Sequence, residues 1–269
     1  MKSFRVLDPN LPDRCARGLC ALAVMTKAPQ AGRVKTRLVP PLTPEEAAEL
    51  NRCFLRDTAT AISSVCRGGL RPPNAPNARS HPGAHSAPQQ CCGVAVYTPV
   101  GAESAYKDIL PEDFRLLPQR GDKFGERLYF AVEDLFKCGF ESACLIDSDS
   151  PTVPIKNFAE AVELLGTCQD RVVLGPSDDG GYYLIGVKKP HRHLFEQIDW
   201  STECVLKQTI ERATEIGLEV KLLPAGYDVD DDVSLRRLCD ELRPDTTSVD
   251  IAPHTRQFLA ELTARRELR

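Results

Sequence analysis

Two kinds of charged residue in this sequence are grouped in ways that could do chemistry. Between residues 14 and 44 stand six basic residues, Arg14, Arg17, Lys27, Arg33, Lys35 and Arg37, with no acid among them. Aspartates gather instead in three short clusters, Asp147/Asp149, Asp178/Asp179 and Asp228/Asp230/Asp231/Asp232. Carboxylate oxygens suit hard divalent cations such as Mg²⁺ and Mn²⁺, while lysine and arginine neutralise phosphate. A basic segment together with aspartate pairs has the parts of a metal–phosphate site. Each group also has a plainer reading as a solvated loop or turn, so its placement among the secondary-structure elements decides.

Those elements can be read from periodicity. Residues 19–26 are a continuous apolar run of strand length, as in a strand buried on both faces. Residues 27–42 form a loop rich in Pro, Gly and basic side chains. Thr43, Pro44 and Glu46 then make a helix start with a capping box. Further strands are expected at 93–98, 142–146, 171–174, 182–187 and 218–223. Helices are expected at 125–137, 155–165, 202–216 behind a Ser201 cap, 232–242 and 254–265. Strand and helix alternate nearly throughout, which predicts one α/β domain: a mostly parallel, twisted sheet with helices on both faces. Residues 1–18 read as a disposable tail, 19–243 as the domain, and 244–269 as a C-terminal helical extension. Residues 67–90 hold five Pro and three Gly without an acid, and read as a flexible insertion. His81 and His85 lie within it.

Ligands of open α/β sheets bind beyond the carboxyl ends of the strands, and the charged groups fall there. The segment Lys27-Ala28-Pro29-Gln-Ala-Gly32-Arg-Val-Lys35-Thr-Arg37 follows the first long strand. Its glycine permits close backbone approach to a phosphate, although the spacing is not that of a Walker A loop. Asp147-Ser-Asp149 follows the strand at 142–146 and could hold a divalent cation or form a plain turn. Asp178-Asp179-Gly180-Gly181-Tyr182 joins two expected strands. It reads equally as a turn or as a segment facing a flat substrate. In the last cluster one aspartate is expected to cap the following helix and another to join the metal shell.

Bulk properties set the bounds. The chain has 269 residues, 42% of them hydrophobic, and a formal charge of -4. That is the profile of a globular protein with a sizeable core, and not of a nucleic-acid binder. No apolar run approaches a membrane span, and residues 19–25 are too short and wrongly flanked for a signal peptide, so a cytoplasmic location is expected. Eleven scattered cysteines without zinc-ligand spacing read as small buried hydrophobes.

Taken together the motifs resemble the bacterial glycosyltransferase-A-like family with the signature K-A-P-x-A-G-x-V-K-T-R-L, here Lys27 to Leu38. Its members are often described as arsenosugar-biosynthesis-type glycosyltransferases. The match continues through Leu42-Thr-Pro-Glu-Glu-Ala-Ala, Gly125-Glu-Arg127, Asp149-Ser-Pro151, Gly175-Pro-Ser-Asp-Asp-Gly-Gly-Tyr-Tyr-Leu-Ile-Gly186, Trp200-Ser-Thr202 and Asp228-Val-Asp230. The resemblance implies a fold akin to nucleotide-diphospho-sugar transferases and a Mg²⁺ or Mn²⁺ cofactor. It implies that Lys27, Ala28, Pro29, Gly32, Lys35, Arg37 and Asp147 meet the nucleotide, although the family has glycine where Asp147 stands. Asp149 and Asp230 would hold the metal. Asp178, Gly180, Gly181, Tyr182 and Trp200 would face substrate. Asp179, Lys35 and Arg37 would be catalytic.

The reading that follows is a metal-dependent transferase moving a sugar from a nucleotide-activated donor to a small-molecule acceptor. The alternative on the same residues is a nucleotidyltransferase that acts on a phosphorylated small molecule and releases pyrophosphate. A non-catalytic binding protein that kept the fold is a third class.

Overall fold

The computed structural model describes residues 4–68, 90–243 and 251–267. Among these, eight strands follow one another along the chain: β1 (Arg5–Val6), β2 (Cys20–Lys27), β3 (Cys91–Thr98), β4 (Arg115–Pro118), β5 (Ser142–Ile146), β6 (Arg171–Pro176), β7 (Tyr182–Val187) and β8 (Glu219–Leu222). They form one sheet in the order β1-β4-β3-β2-β5-β7-β6-β8. Neighbours are parallel, except that β7 runs against both β5 and β6. This is the mostly parallel α/β domain that the alternation of elements predicts.

Both faces of the sheet are covered. Cys20, Leu22 and Val24 of β2 point into a core shared with α1 (Pro44–Cys66) and α3 (Ile155–Leu165). Ala21 and Ala23 point the other way, into a core with α2 (Phe124–Lys137) and α4 (Val205–Glu215). A strand buried on both faces has no polar side, hence the continuous apolar run. Beyond the sheet, a third core joins Leu38 and Leu42 of the basic loop to α1, α5 (Asp232–Glu241) and α6 (Pro253–Glu267). The helix starts follow local chemistry. Thr43 Oγ1 accepts from the Glu46 N–H at 3.2 Å, and the Glu46 carboxylate accepts from the Thr43 N–H at 2.9 Å.

The start of the chain departs from expectation. Residues 5–18 are not a loose tail. Asp13, 5% exposed, is held at 3.0 Å by Arg5 and at 3.0 Å by Arg115 of β4, and Leu7 and Ala16 are buried in the core under α2. β1 and β4 escape sequence reading for a physical reason. Both residues of β1 are exposed, and β4 is four residues long and closes on a proline, so neither carries a burial period. At the other end the expected helix is present as α6 and packs on α1 and α5. Its first turn is capped by Asp57 of α1, whose carboxylate accepts from the N–H groups of His254 at 3.0 Å and Thr255 at 2.9 Å. Residues 69–89 of the expected insertion, with His81 and His85, lie outside the described residues, as do 244–250. Among the described cysteines, Cys20, Cys53, Cys92, Cys138 and Cys144 are buried as expected, whereas Cys15, Cys168 and Cys239 are exposed. No helix among the described residues is long and apolar enough to cross a membrane.

Asp13 links β1, β4 and the segment after β1, and removing its carboxylate leaves two arginines without their shared partner. Asp13→Ala is expected to lower the unfolding free energy by about 2–4 kcal/mol, read as a lower midpoint in urea with an unchanged slope.

Candidate active site

Because β2, β5 and β6 are parallel, their carboxyl ends open on one edge of the sheet; antiparallel β7 begins there. The loops at 28–43, 147–154 and 177–181 therefore converge, and the segment from β8 to α5 joins them. Gly226 donates to Pro176 O at 2.9 Å and accepts from the Asp178 N–H at 3.1 Å. Val229 donates to the Asp149 carbonyl at 3.0 Å.

Lys35 lies where these loops meet. Its backbone takes a left-handed φ of 47°, uncommon for a residue with a Cβ, and its side chain turns inward until only 4% is exposed. The ammonium donates to Val229 O at 2.7 Å and to Asp230 Oδ1 at 2.8 Å, and lies 3.0 Å from Asp149 Oδ1. Burial opposes its charge, but the Asp149 and Asp230 carboxylates outweigh it and hold the group above the usual lysine range. An ammonium has three N–H donors, and these three oxygens take them all. Lys35, expected to meet phosphate and to be catalytic, lies on the groove with its ammonium turned onto the two aspartates read as metal ligands.

Two recesses flank this contact, and both are lined in part by Arg37, Asp149 and Asp230. The smaller, about 320 Å³, is a basic groove with Lys27, Arg33 and Lys35 on its walls, and with Asn51 and Ser148 as neutral donors. The larger, about 570 Å³, has aspartates 147, 179 and 228 at its polar end and Met25, Leu128, Leu145 and Ile185 at its apolar end. Trp200 lines it too, with its ring 5.1 Å from that of Phe124. Gly125 permits this packing, since a Cβ there would stand 2.6 Å from the indole nitrogen.

The expected site residues sort accordingly. Lys27, Lys35 and Arg37 reach the groove, and Asp149 and Asp230 stand between the recesses. Asp179, Gly181, Tyr182 and Trp200 line the larger recess. Other expected residues lie outside these two recesses or are engaged with the protein itself. Ala28 and Pro29 are buried, and the Ala28 N–H donates to Thr98 O at 2.8 Å, which anchors the start of the loop on β3. Gly32 lines neither recess; its φ of 71° makes the turn that brings Arg33 and Lys35 round. Asp147 lies in the larger recess, not the groove, with its Oδ2 accepting from Ser150 Oγ at 2.8 Å. The Asp178 carboxylate pairs with Arg237 of α5 at 2.6 Å, away from the recess. Gly180 is a packing position, where a Cβ would stand 2.2 Å from Glu203 O. Ser201, expected to cap α4, instead has a φ of 66° in the preceding turn. The α5 cap is Asp231, which accepts from the Ser234 N–H at 2.8 Å. Arg33, Phe124, Glu203 and Asp228 also line the recesses, beyond the residues expected there. Arg33 and Asp228 do stand in the charge clusters of the sequence. Phe124 and Glu203 adjoin its motifs but give no signal of their own.

The electrostatics show what the aspartates lack. Burial and the neighbouring Asp149 push the Asp147 carboxyl up to about 8. Burial and the charges of Asp179 and Asp230 push Asp228 up to about 6. Five carboxyls thus share one internal ammonium. Lys35 engages one oxygen each of Asp149 and Asp230, leaving Oδ2 on both for another cation. Among the described residues no three His, Cys, Asp or Glu side chains are already drawn into a metal cage. A hard-oxygen set of few protein ligands, completed by water and phosphate oxygens, fits Mg²⁺ or Mn²⁺.

Comparisons with known proteins agree with this architecture. The family model DUF2064, described as an uncharacterized protein conserved in bacteria, matches residues 84–202. No curated protein sequence matches the chain. A crystal structure from Desulfovibrio desulfuricans G20, provisionally assigned as a nucleotide-diphospho-sugar transferase, shares 26% identity. The match covers 92% of this chain and 96% of that one, with a TM-score of 0.74. A 4-diphosphocytidyl-2C-methyl-D-erythritol synthase from Anaerococcus prevotii DSM 20548 is 11% identical over 82% of this chain and 94% of its own, with a TM-score of 0.48. Glucosyl-3-phosphoglycerate synthase from Mycobacterium tuberculosis, seen with Mn²⁺, UDP and glucosyl-3-phosphoglycerate, is 12% identical over 94% and 81%, with a TM-score of 0.45. The chain has the fold of the nucleotide-diphospho-sugar transferases and stands among transferase enzymes.

The raised Asp147 carboxyl makes a prediction about stability. The folded state binds the proton more tightly than the unfolded chain, so this group lowers stability as pH rises from about 4 towards 8. In EDTA, Asp147→Asn should stabilise the fold by roughly 1–3 kcal/mol at pH 8 and change it little at pH 4. Thermal unfolding at the two pH values checks this; an equal effect at both would show that the carboxyl is not raised.

Proposed function

We propose that this chain is a metal-dependent glycosyltransferase that moves a sugar from a nucleotide-diphospho-sugar donor to a small-molecule acceptor. The observation that carries the reading is the junction at Lys35. A basic groove and a larger, half-open recess meet at Asp149 and Asp230, as a donor with a diphosphate on one side and a sugar on the other would require. The likeness to the Desulfovibrio protein supports the same class.

Each part of the donor then has a place. Lys27, Arg33 and Arg37 bind the diphosphate along the groove, where Lys and Arg donors give charge-assisted hydrogen bonds. Asp149 and Asp230 would hold Mg²⁺ or Mn²⁺, which when bound neutralises the diphosphate as it leaves. Lys35 keeps the two carboxylates in place before any ligand arrives, so little reorganisation is left for the reaction. The sugar enters the larger recess, and its anomeric carbon lies towards the aspartates. An acceptor hydroxyl attacks that carbon, the bond to the diphosphate oxygen breaks, and Asp179 takes the hydroxyl proton. Asp179 has oxygen to spare for that proton, since its Oδ1 accepts from the Gly181 N–H at 2.9 Å and Oδ2 is left to face the recess.

Purified protein screened by thermal shift against a panel of nucleotide sugars should be stabilised by its donor, more so with Mn²⁺. Asp149→Ala should abolish the Mn²⁺-dependent part. Asp179→Asn should keep donor binding while lowering turnover by about 10²- to 10⁴-fold. Stabilisation by no nucleotide sugar in an intact protein overturns the reading. Pyrophosphate release from a nucleoside triphosphate and a phosphorylated substrate would replace it with nucleotidyl transfer.

A further inference from the structure

The two recesses differ in charge as sharply as in shape. The groove sets four cations, Lys27, Arg33, Lys35 and Arg37, against Asp149 and Asp230. The larger recess has six acids on its walls, Asp147, Asp149, Asp179, Glu203, Asp228 and Asp230, and one cation, Arg37, which it shares with the groove. Two neighbouring cations are already engaged elsewhere. Lys35 is spent on its three oxygens, and Arg237 pairs with Asp178 and stacks on the Tyr227 ring. The apolar end is formed by Met25, Phe124, Leu128, Leu145, Ile185 and Trp200. At about 570 Å³ the recess lies within the range of small-molecule sites, about 300–1,000 Å³. It has room for more than one sugar ring.

From this we infer that the acceptor is an uncharged or cationic molecule with a flat apolar body, seated against Trp200, and that phosphorylated and carboxylated acceptors are rejected. The inference rests on the transferase reading of this site and adds to it the chemical class of the second substrate. The apolar end rewards burial of a ring or alkyl face. The acidic rim attracts an ammonium and tolerates a hydroxyl, which can donate to Asp179 or Glu203. An anion would be placed among like charges, where Arg37 is the one cation on the walls and is the residue that the donor diphosphate draws on in the groove, and such juxtaposition is a source of discrimination. The donor's own phosphates escape this penalty because the groove holds them on the far side of Asp149 and Asp230.

The test probes the recess directly, beside the thermal-shift panel of nucleotide sugars. Trp200 is the sole tryptophan of the sequence, so its fluorescence reports on this recess alone. Three probes with one aromatic body and different tails would be titrated into the full chain: 2-phenylethylamine, 2-phenylethanol and phenylacetate. The amine and the alcohol should perturb Trp200 saturably, and phenylacetate should bind about tenfold more weakly or worse. Glu203→Arg, a change at an exposed rim position, should bring phenylacetate to within about threefold of the amine. Equal or tighter binding of phenylacetate by the unaltered protein overturns the inference. So does the absence of any effect from all three probes in protein that still binds a nucleotide sugar. Loss of nucleotide-sugar binding with the charge preference intact would instead overturn the transferase reading, so the two failures are distinguishable.

Discussion

The contact between the Lys35 ammonium and the oxygens of Asp149, Asp230 and Val229 is the constraint on which the site depends. A charge taken out of water must be paired and fully hydrogen-bonded to be tolerated. Here that requirement fixes three loops at once: the basic loop after β2, the turn after β5, and the segment between β8 and α5. The left-handed backbone at Lys35 is part of the same arrangement. A strained conformation persists when its surroundings over-determine it, and the three oxygens do so.

Close packing does for the larger recess what charge does for the groove. Gly180 lies against the backbone of Glu203, and Gly125 lies under the indole of Trp200. At both places the missing side chain lets a wall of the recess approach another element. These glycines belong to the motifs that mark the sequence, yet neither is placed to touch a ligand with its own atoms as much as to let a neighbour do so. The tyrosines behave similarly. Tyr183, buried, accepts from Asn157 Nδ2 at 2.9 Å and donates to Pro224 O at 2.9 Å, and so holds the approach to the Asp228–Asp230 segment.

Much of the fold was legible because burial leaves a period. β2, β5, α1 and α2 sit within two residues of where their apolar spacing puts them, and the Thr43 capping box is a local signal with a local result. β1, β4 and the packing of α6 were not legible, because each depends on partners distant in sequence. The position of the site followed from a topological rule about strand ends. The direction of individual side chains did not. Nothing in the spacing of Lys35 distinguishes an ammonium free for phosphate from one turned inward onto two carboxylates. Nothing near Asp178 announces that Arg237 will take it, 59 residues away.

The third core has a consequence for the order in which the molecule matures during synthesis. The basic loop emerges early, yet Lys35 meets Val229 and Asp230 across 194 and 195 residues, and Leu38 and Leu42 are covered by α5 and α6. Until those segments are made, the strands before them can pair while Leu38 and Leu42 stay uncovered and Lys35 lacks Val229 and Asp230. Full pairing of Lys35 therefore waits for a segment made about two hundred residues later, and the junction of the two recesses is complete only then.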